Sequence, residues 1–174
     1  MKLNLSKHKL ILLIFFIVIV LLYFKYYDSS TINDALNQTN QSIKVQNFHS
    51  LYWPFSFELP SDYKFKEELT YIDLYKGGKK INISRNGTNF DNVIDFVKDF
   101  DSKRTIVVES EKQQTTNNHR WIVRMEYLPN LQIKEKVYLI YLDHNIYTFS
   151  SSSTELYNDL DQIVRSFKYL PENP

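Results

Sequence analysis

Hydrophobic and polar positions follow three different rhythms along this chain. Residues 10–24 are apolar without interruption. Residues 28–45 are dominated by Ser, Thr, Asn and Gln and have little apolar surface to bury. From there on, short alternating or β-branched runs are separated by turn residues, and two stretches repeat at helical spacing. Phe55, Phe57 and Leu59 alternate with Ser56 and Glu58, the period of a strand buried on one face. Residues 69–75 and 80–85 flank Gly77-Gly78, which predicts a hairpin. Phe90, Val93, Ile94, Val97 and Phe100 mark a first amphipathic helix, with Thr88 or Asn89 as its cap. Three more β-prone runs cover residues 105–110, 120–127 and 133–142, with turns at Asn117-Asn118 and Pro129-Asn130. Asp143-His144-Asn145 then turns the chain into a strand at 146–149. A second helix buries Leu156, Leu160, Ile163, Val164 and Phe167, with Ser152 and Glu155 spaced as a capping box.

The predicted order is β-β-β-α-β-β-β-β-α. An antiparallel sheet or sandwich interrupted by one helix and closed by another is an α+β fold. The runs at 120–127 and 133–142 are expected at its centre. Val137 to Leu142 is apolar at every position, so this strand should be covered on both sides.

The first rhythm has a different meaning. Fifteen residues, Leu10 to Phe24, span about 22 Å as a helix, and extending to Tyr27 gives about 27 Å against a bilayer core of about 30 Å. Tyr23, Tyr26 and Tyr27 have interfacial character, and Lys2, Lys7 and Lys9 favour a cytoplasmic amino terminus. The residues following the run offer a poor cleavage site, Ser29 and Thr31 being the nearest small pair, so an uncleaved anchor is expected. The organisation is a basic flank at 1–9, a transmembrane helix at 10–27, a polar linker at 28–45 and an extracytoplasmic domain at 46–174. The protein is thus expected in the cell membrane as a single-pass chain.

Charge agrees with that division. The whole chain carries 21 Lys plus Arg and 20 Asp plus Glu, a net charge of +1. Lys2, Lys7, Lys9 and Lys25 lie in the first 27 residues with no acid, leaving 17 basic and 20 acidic groups, or −3, beyond them. Nucleic acid is not an expected partner. Zero cysteines exclude disulfides, thiolate metal sites and a cysteine nucleophile, and three glycines cannot build a phosphate loop. Asn37, Asn40, Asn82 and Asn86 begin N-x-Ser/Thr triplets, a frequent chance pattern in an Asn-rich sequence.

Candidate chemistry is sparse. Asp91, Asp95 and Asp99 recur on one helix face, which is read as solvated with Lys98 and Lys103 as partners. His119 and His144 fall in turns that meet only if they share one end of the sheet. Glu126 and Glu135 lie on adjacent predicted strands near Arg124, Lys134 and Lys136, as a carboxylate pair or as cross-strand ion pairs on a solvated face. Ser150 to Ser153 is read as helix capping rather than as a nucleophile. No catalytic, cofactor or metal residues are assigned. Tyr52, Trp53, Tyr71 and Tyr75 form a possible interaction patch, with core packing as the competing reading.

The opening FSFELPSDYK and the ending YTFSSSSTELYNDLDQIVRSFKYL resemble the first and last elements of PsbP-like domains, and the middle helix and hairpin order agree. The resemblance covers about residues 50–170. It implies the PsbP-like fold. PsbP itself is an extrinsic subunit of the photosynthetic oxygen-evolving complex, and related domains act as assembly or accessory factors. The membrane anchor departs from that pattern, and no photosystem role or binding residue is carried over. The resulting expectation is a non-catalytic, membrane-tethered accessory domain that docks on another envelope protein. The alternatives are a small-ligand or glycan-binding domain and, third, a hydrolase.

Overall fold

Alternation of side chains across a strand forces a sheet to choose which residues face each neighbouring layer. Here both faces of the main sheet are used. The computed structural model of the protein describes residues 44–171. The anchor, most of the polar linker, and Asn37 and Asn40 lie outside the described residues. Among the described residues no helix is long and apolar enough to cross a membrane.

The strands are β1 (Val45–His49), β2 (Phe55–Pro60), β3 (Lys64–Glu67), β4 (Tyr71–Lys76), β5 (Lys79–Gly87), β6 (Val107–Thr116), β7 (His119–Leu128), β8 (Ile133–Leu142), β9 (Asn145–Ser151) and β10 (Lys168–Tyr169). Helix α1 spans Val93–Ser102 and α2 spans Tyr157–Ser166, the latter preceded by a 3-10 turn at Thr154–Leu156. Seven strands form an antiparallel sheet in the order β3-β4-β5-β9-β8-β7-β6, and β1-β2-β10 form a second, smaller sheet. The expected α+β architecture with two helices is therefore present.

One face of the large sheet buries Ile72, Leu74, Ile81, Ile83, Trp121 and Phe149 against α2 and the small sheet. The opposite face buries Ile122, Val137, Leu139 and Ile146 under Val93 and Val97 of α1. In β8, Val137 and Leu139 belong to the second core while Tyr138 and Ile140 belong to the first. The strand is covered on both sides, as its sequence predicts.

Three tight turns follow from their residues. Gly77-Gly78, Asn117-Asn118 and Asp143-His144 all have positive φ, between 49° and 76°. Two successive left-handed residues match the twist of antiparallel strands, and Gly, Asn and Asp tolerate that conformation best.

Several details differ from expectation. β9 lies at the middle of the large sheet, while β7 is next to the edge. Helix α1 is capped by Asn92, whose side chain accepts from the Asp95 amide at 3.0 Å. Thr88 instead accepts from the Phe90 amide. The Ser152–Glu155 capping box does not form. Glu155 pairs with Lys79 across the molecule, and the 3-10 turn begins the helix without a side-chain cap. Asp95 and Asp99 do pair with Lys98 and Lys103 on an exposed face.

Candidate functional site

The even-numbered positions of β7 project beneath α1. Ile122 joins the apolar core there, but Arg124 and Glu126 occupy the next two positions and are 1% and 2% exposed. An isolated buried charge is costly, so these groups must be paired. Asp101 at the end of α1 receives Arg124 in a fork, with Nη1 and Nη2 donating at 3.0 and 2.7 Å. Arg124 Nε lies 3.2 Å from Glu111, and Nη1 lies 3.4 Å from Glu126. Arg104 approaches the other Glu126 oxygen at 3.6 Å and lies over the Phe100 ring.

Glu135 stands directly opposite Glu126 in the β7–β8 register. Glu126 does not lie on the solvated face that the sequence suggests, because α1 and its following turn close over it, while Glu135 is half-buried. Lys134 and Lys136 do not join it. They pair with Glu109 and Asp161. Burial raises the Glu126 carboxyl above its usual range, opposed by Arg124 and Arg104 and assisted by the charges of Glu135 and Asp101. A hollow of about 180 Å³ opens beside these groups, lined among others by Ser84, Thr148, Glu126 and Glu135.

Two facing carboxyls with one pKa raised are an acid–base pattern. Here Arg124 and Arg104 pair with Glu126, and the arrangement serves first as an ion network that fixes α1 to the sheet. Glu135→Gln should remove a like charge and move the Glu126 titration downward. Carboxyl-carbon NMR across acid pH checks this, and an unchanged or higher Glu126 midpoint would contradict the coupling.

The histidines take separate environments. Both turns do lie at one end of the large sheet, since β6–β7 and β8–β9 reverse direction there. His119 is half-buried, its ring edge-on to Phe167 and Tyr169. Burial lowers its pKa. His144 is exposed, and its Nδ1 lies 3.3 Å from the Tyr141 hydroxyl. Neither has a serine or an acid as a hydrogen-bond partner among the described residues. Ser151 donates to the Lys80 carbonyl and accepts from the Ser153 amide, a structural use.

The four aromatic patch candidates separate as well. Trp53 is 3% exposed and its indole donates to the Leu69 carbonyl, so it is an anchor and not a surface group. Tyr71 is half-buried and accepts from Lys66. Tyr75 lies at the other end of β4, about 13 Å along the strand, and donates to Asp73. Tyr52 remains exposed, and its neighbours in space are residues that aromatic counting missed. Loop 50–54 is pinned to the β3–β4 turn by the Trp53 bond and by Glu67, which accepts from Ser50 and from the Leu51 amide. The joined turns expose Leu51, Tyr52 and Leu69 at 80%, 51% and 64%. A large apolar side chain in a turn was the available signal.

No family model matches the sequence, and no curated protein sequence matches it. Solved structures do. The solution structure of cyanobacterial PsbP (CyanoP) from Synechocystis sp. PCC 6803 superposes with a TM-score of 0.52 over 75% of this chain and 95% of that one, at 8% identity. The fold is PsbP-like. A Bacteroides thetaiotaomicron VPI-5482 crystal structure overlaps less closely, with a TM-score of 0.45 and 11% identity over 73% of this chain and 49% of that one. The PsbP-like fold positions the buried ion network under α1 and the apolar turns at the far end of β1 and β2. The chain enters that pair of strands at the opposite end, where the Ser61 amide donates to the Lys44 carbonyl.

Proposed function

We propose that this protein is a non-catalytic accessory domain, tethered outside the membrane by residues 10–27, that docks on another envelope protein through Leu51, Tyr52 and Leu69. The carrying observation is the exposure of those three side chains on turns held rigid by Trp53 and Glu67. A preordered apolar surface loses little conformational freedom on binding, and Tyr and Leu anchors of this kind concentrate interface energy. The polar linker gives such a domain reach from its anchor. The PsbP-like fold is compatible with an accessory role.

A photo-crosslinking residue at position 52 of the full-length protein, activated in its native membrane, should capture one reproducible envelope protein. Leu51→Ser with Leu69→Ser should weaken that capture at least about tenfold while leaving the unfolding midpoint nearly unchanged. Undiminished capture by the double variant would move docking elsewhere, and crosslinks to abundant bystanders alone would defeat the proposal.

A further inference from the structure

Ser84 and Thr148 stand opposite each other on β5 and β9, and Asn82 stands opposite Ser150 one pleat further along. Their neighbours in the strands, Ile83 and Phe149, point into the core beneath α2, so this polar row shares the α1 face with Glu135 and Glu126. A sheet face under a helix is normally apolar, and here Val137 and Leu139 do form an apolar floor. Beside that floor, the side chains of Ser84, Thr148, Ser150 and Glu135 make no hydrogen bond to another group among the described residues, and none of their polar atoms is sealed off. Their hydrogen-bonding capacity is directed into the 180 Å³ hollow. A second hollow of about 430 Å³ meets the first at Glu135 and Ser150 and continues past Asn82 to the Gly78–Lys80 turn and Ser151 to Ser153.

Charge selects what such a site takes. Arg104, Glu126 and Glu135 line the smaller hollow, and Lys79 and Lys80 line the larger one, so charges of both signs border the joined space. An anion would meet two carboxylates in the smaller hollow, and a cation would meet Arg104 there and Lys79 and Lys80 in the larger one. A neutral hydroxyl donates to a carboxylate and accepts from an arginine or a serine, which suits every group present. Small-ligand sites are concave hollows in which a few converging hydrogen-bonding groups fix the ligand's orientation beside apolar surface, here Val137 and Leu139. We propose that the joined hollows bind a neutral carbohydrate, with a terminal sugar in the smaller hollow against Thr148 and Glu135 and the remainder lying toward Asn82 and Ser151.

The test uses saturation-transfer NMR on the full-length protein in a zwitterionic detergent, because a maltoside head group would compete. The neutral probes are maltose, lactose and N,N′-diacetylchitobiose, and the charged controls are glucosamine and glucuronate. At least one neutral probe should receive saturation and the charged sugars much less. Thr148→Val removes one hydroxyl at constant shape, and Glu135→Gln removes one charge. Each should weaken binding roughly threefold to tenfold with the unfolding midpoint retained. If one of these variants fails to fold, the other decides. The proposal is overturned if no neutral probe receives saturation, if both folded variants bind as the parent does, or if a charged control binds more tightly than the neutral sugars. Capture through position 52 is a separate readout on other residues, so either proposal can fail alone.

Discussion

Arg124→Met should lower the stability of the protein by about 3–5 kcal/mol at neutral pH, and by less in acid. The side chain is buried and holds Asp101 in a two-bond fork while approaching Glu126 and Glu111. Methionine fills much of the same volume, so the loss reports charge rather than a cavity. Asp101 and Glu111 can turn to solvent, being partly exposed, but Glu126 cannot. Its folded pKa is already raised by burial. A carboxyl raised in the folded state adds stability below its unfolded value, and that contribution is lost as pH rises through the folded value. Without Arg124 the rise is larger, so the variant's deficit should shrink as pH falls from neutral toward the ordinary carboxylate range. Urea unfolding of parent and variant at matched pH values measures the difference. Adding Glu126→Leu should recover most of the loss, because an apolar pair replaces the ion pair. A deficit independent of pH, or none regained in the double variant, would show that the network is not what Arg124 supports.

The same network explains why the site was less legible than the fold. Strand and helix signals are local, and the helical stripe Leu160, Ile163, Val164 and the turns Gly77-Gly78, Asn117-Asn118 and Asp143-His144 were readable because each needs only its own residues. The adjacency of Glu126 and Glu135 was also readable, since a short turn at Pro129-Asn130 fixes the register of the strands around it. The burial of Glu126 was not. It depends on α1 returning over the sheet so that Asp101 and Arg104 reach β7 from more than twenty residues away in sequence. Three strands escaped the pattern for a related reason. β1 offers Val45 and Phe48 as its apolar residues, β3 offers Phe65 alone, and β10 has two residues. These are edge or end elements whose stability comes from the partner strand. Aromatic counting misplaced Trp53 because an indole fills a core and caps a carbonyl as readily as it marks a surface. Leu51 and Leu69, which carry no periodic signal, are exposed because the turns that hold them are tied to each other.

Phe167→Ala should cost about 3–5 kcal/mol and should also raise the pKa of His119. Phe167 follows α2 directly and is 1% exposed. Its ring meets Phe55, Trp121 and Phe149 at centroid distances of 5.2, 5.3 and 5.7 Å, so it joins the small sheet, α2 and the large sheet at one point. Truncation to alanine leaves a cavity whose walls belong to three elements, and no single one can collapse into it without moving the others. The fourth neighbour is His119, edge-on at 5.9 Å. Burial holds that imidazole below its ordinary value. A base depressed in the folded state contributes stability above its unfolded pKa and loses it as pH falls through the folded pKa. Opening the wall at Phe167 admits water to the ring, so the pKa should move up toward the ordinary range and the acid-side loss due to His119 should diminish. Urea unfolding and an imidazole proton NMR titration of the same variant give the two readings. A large stability loss with an unmoved His119 would mean that other groups, Tyr169 foremost, desolvate the ring. A loss below about 1 kcal/mol would mean that the C-terminal segment repacks and that the aromatic junction is not what joins the layers.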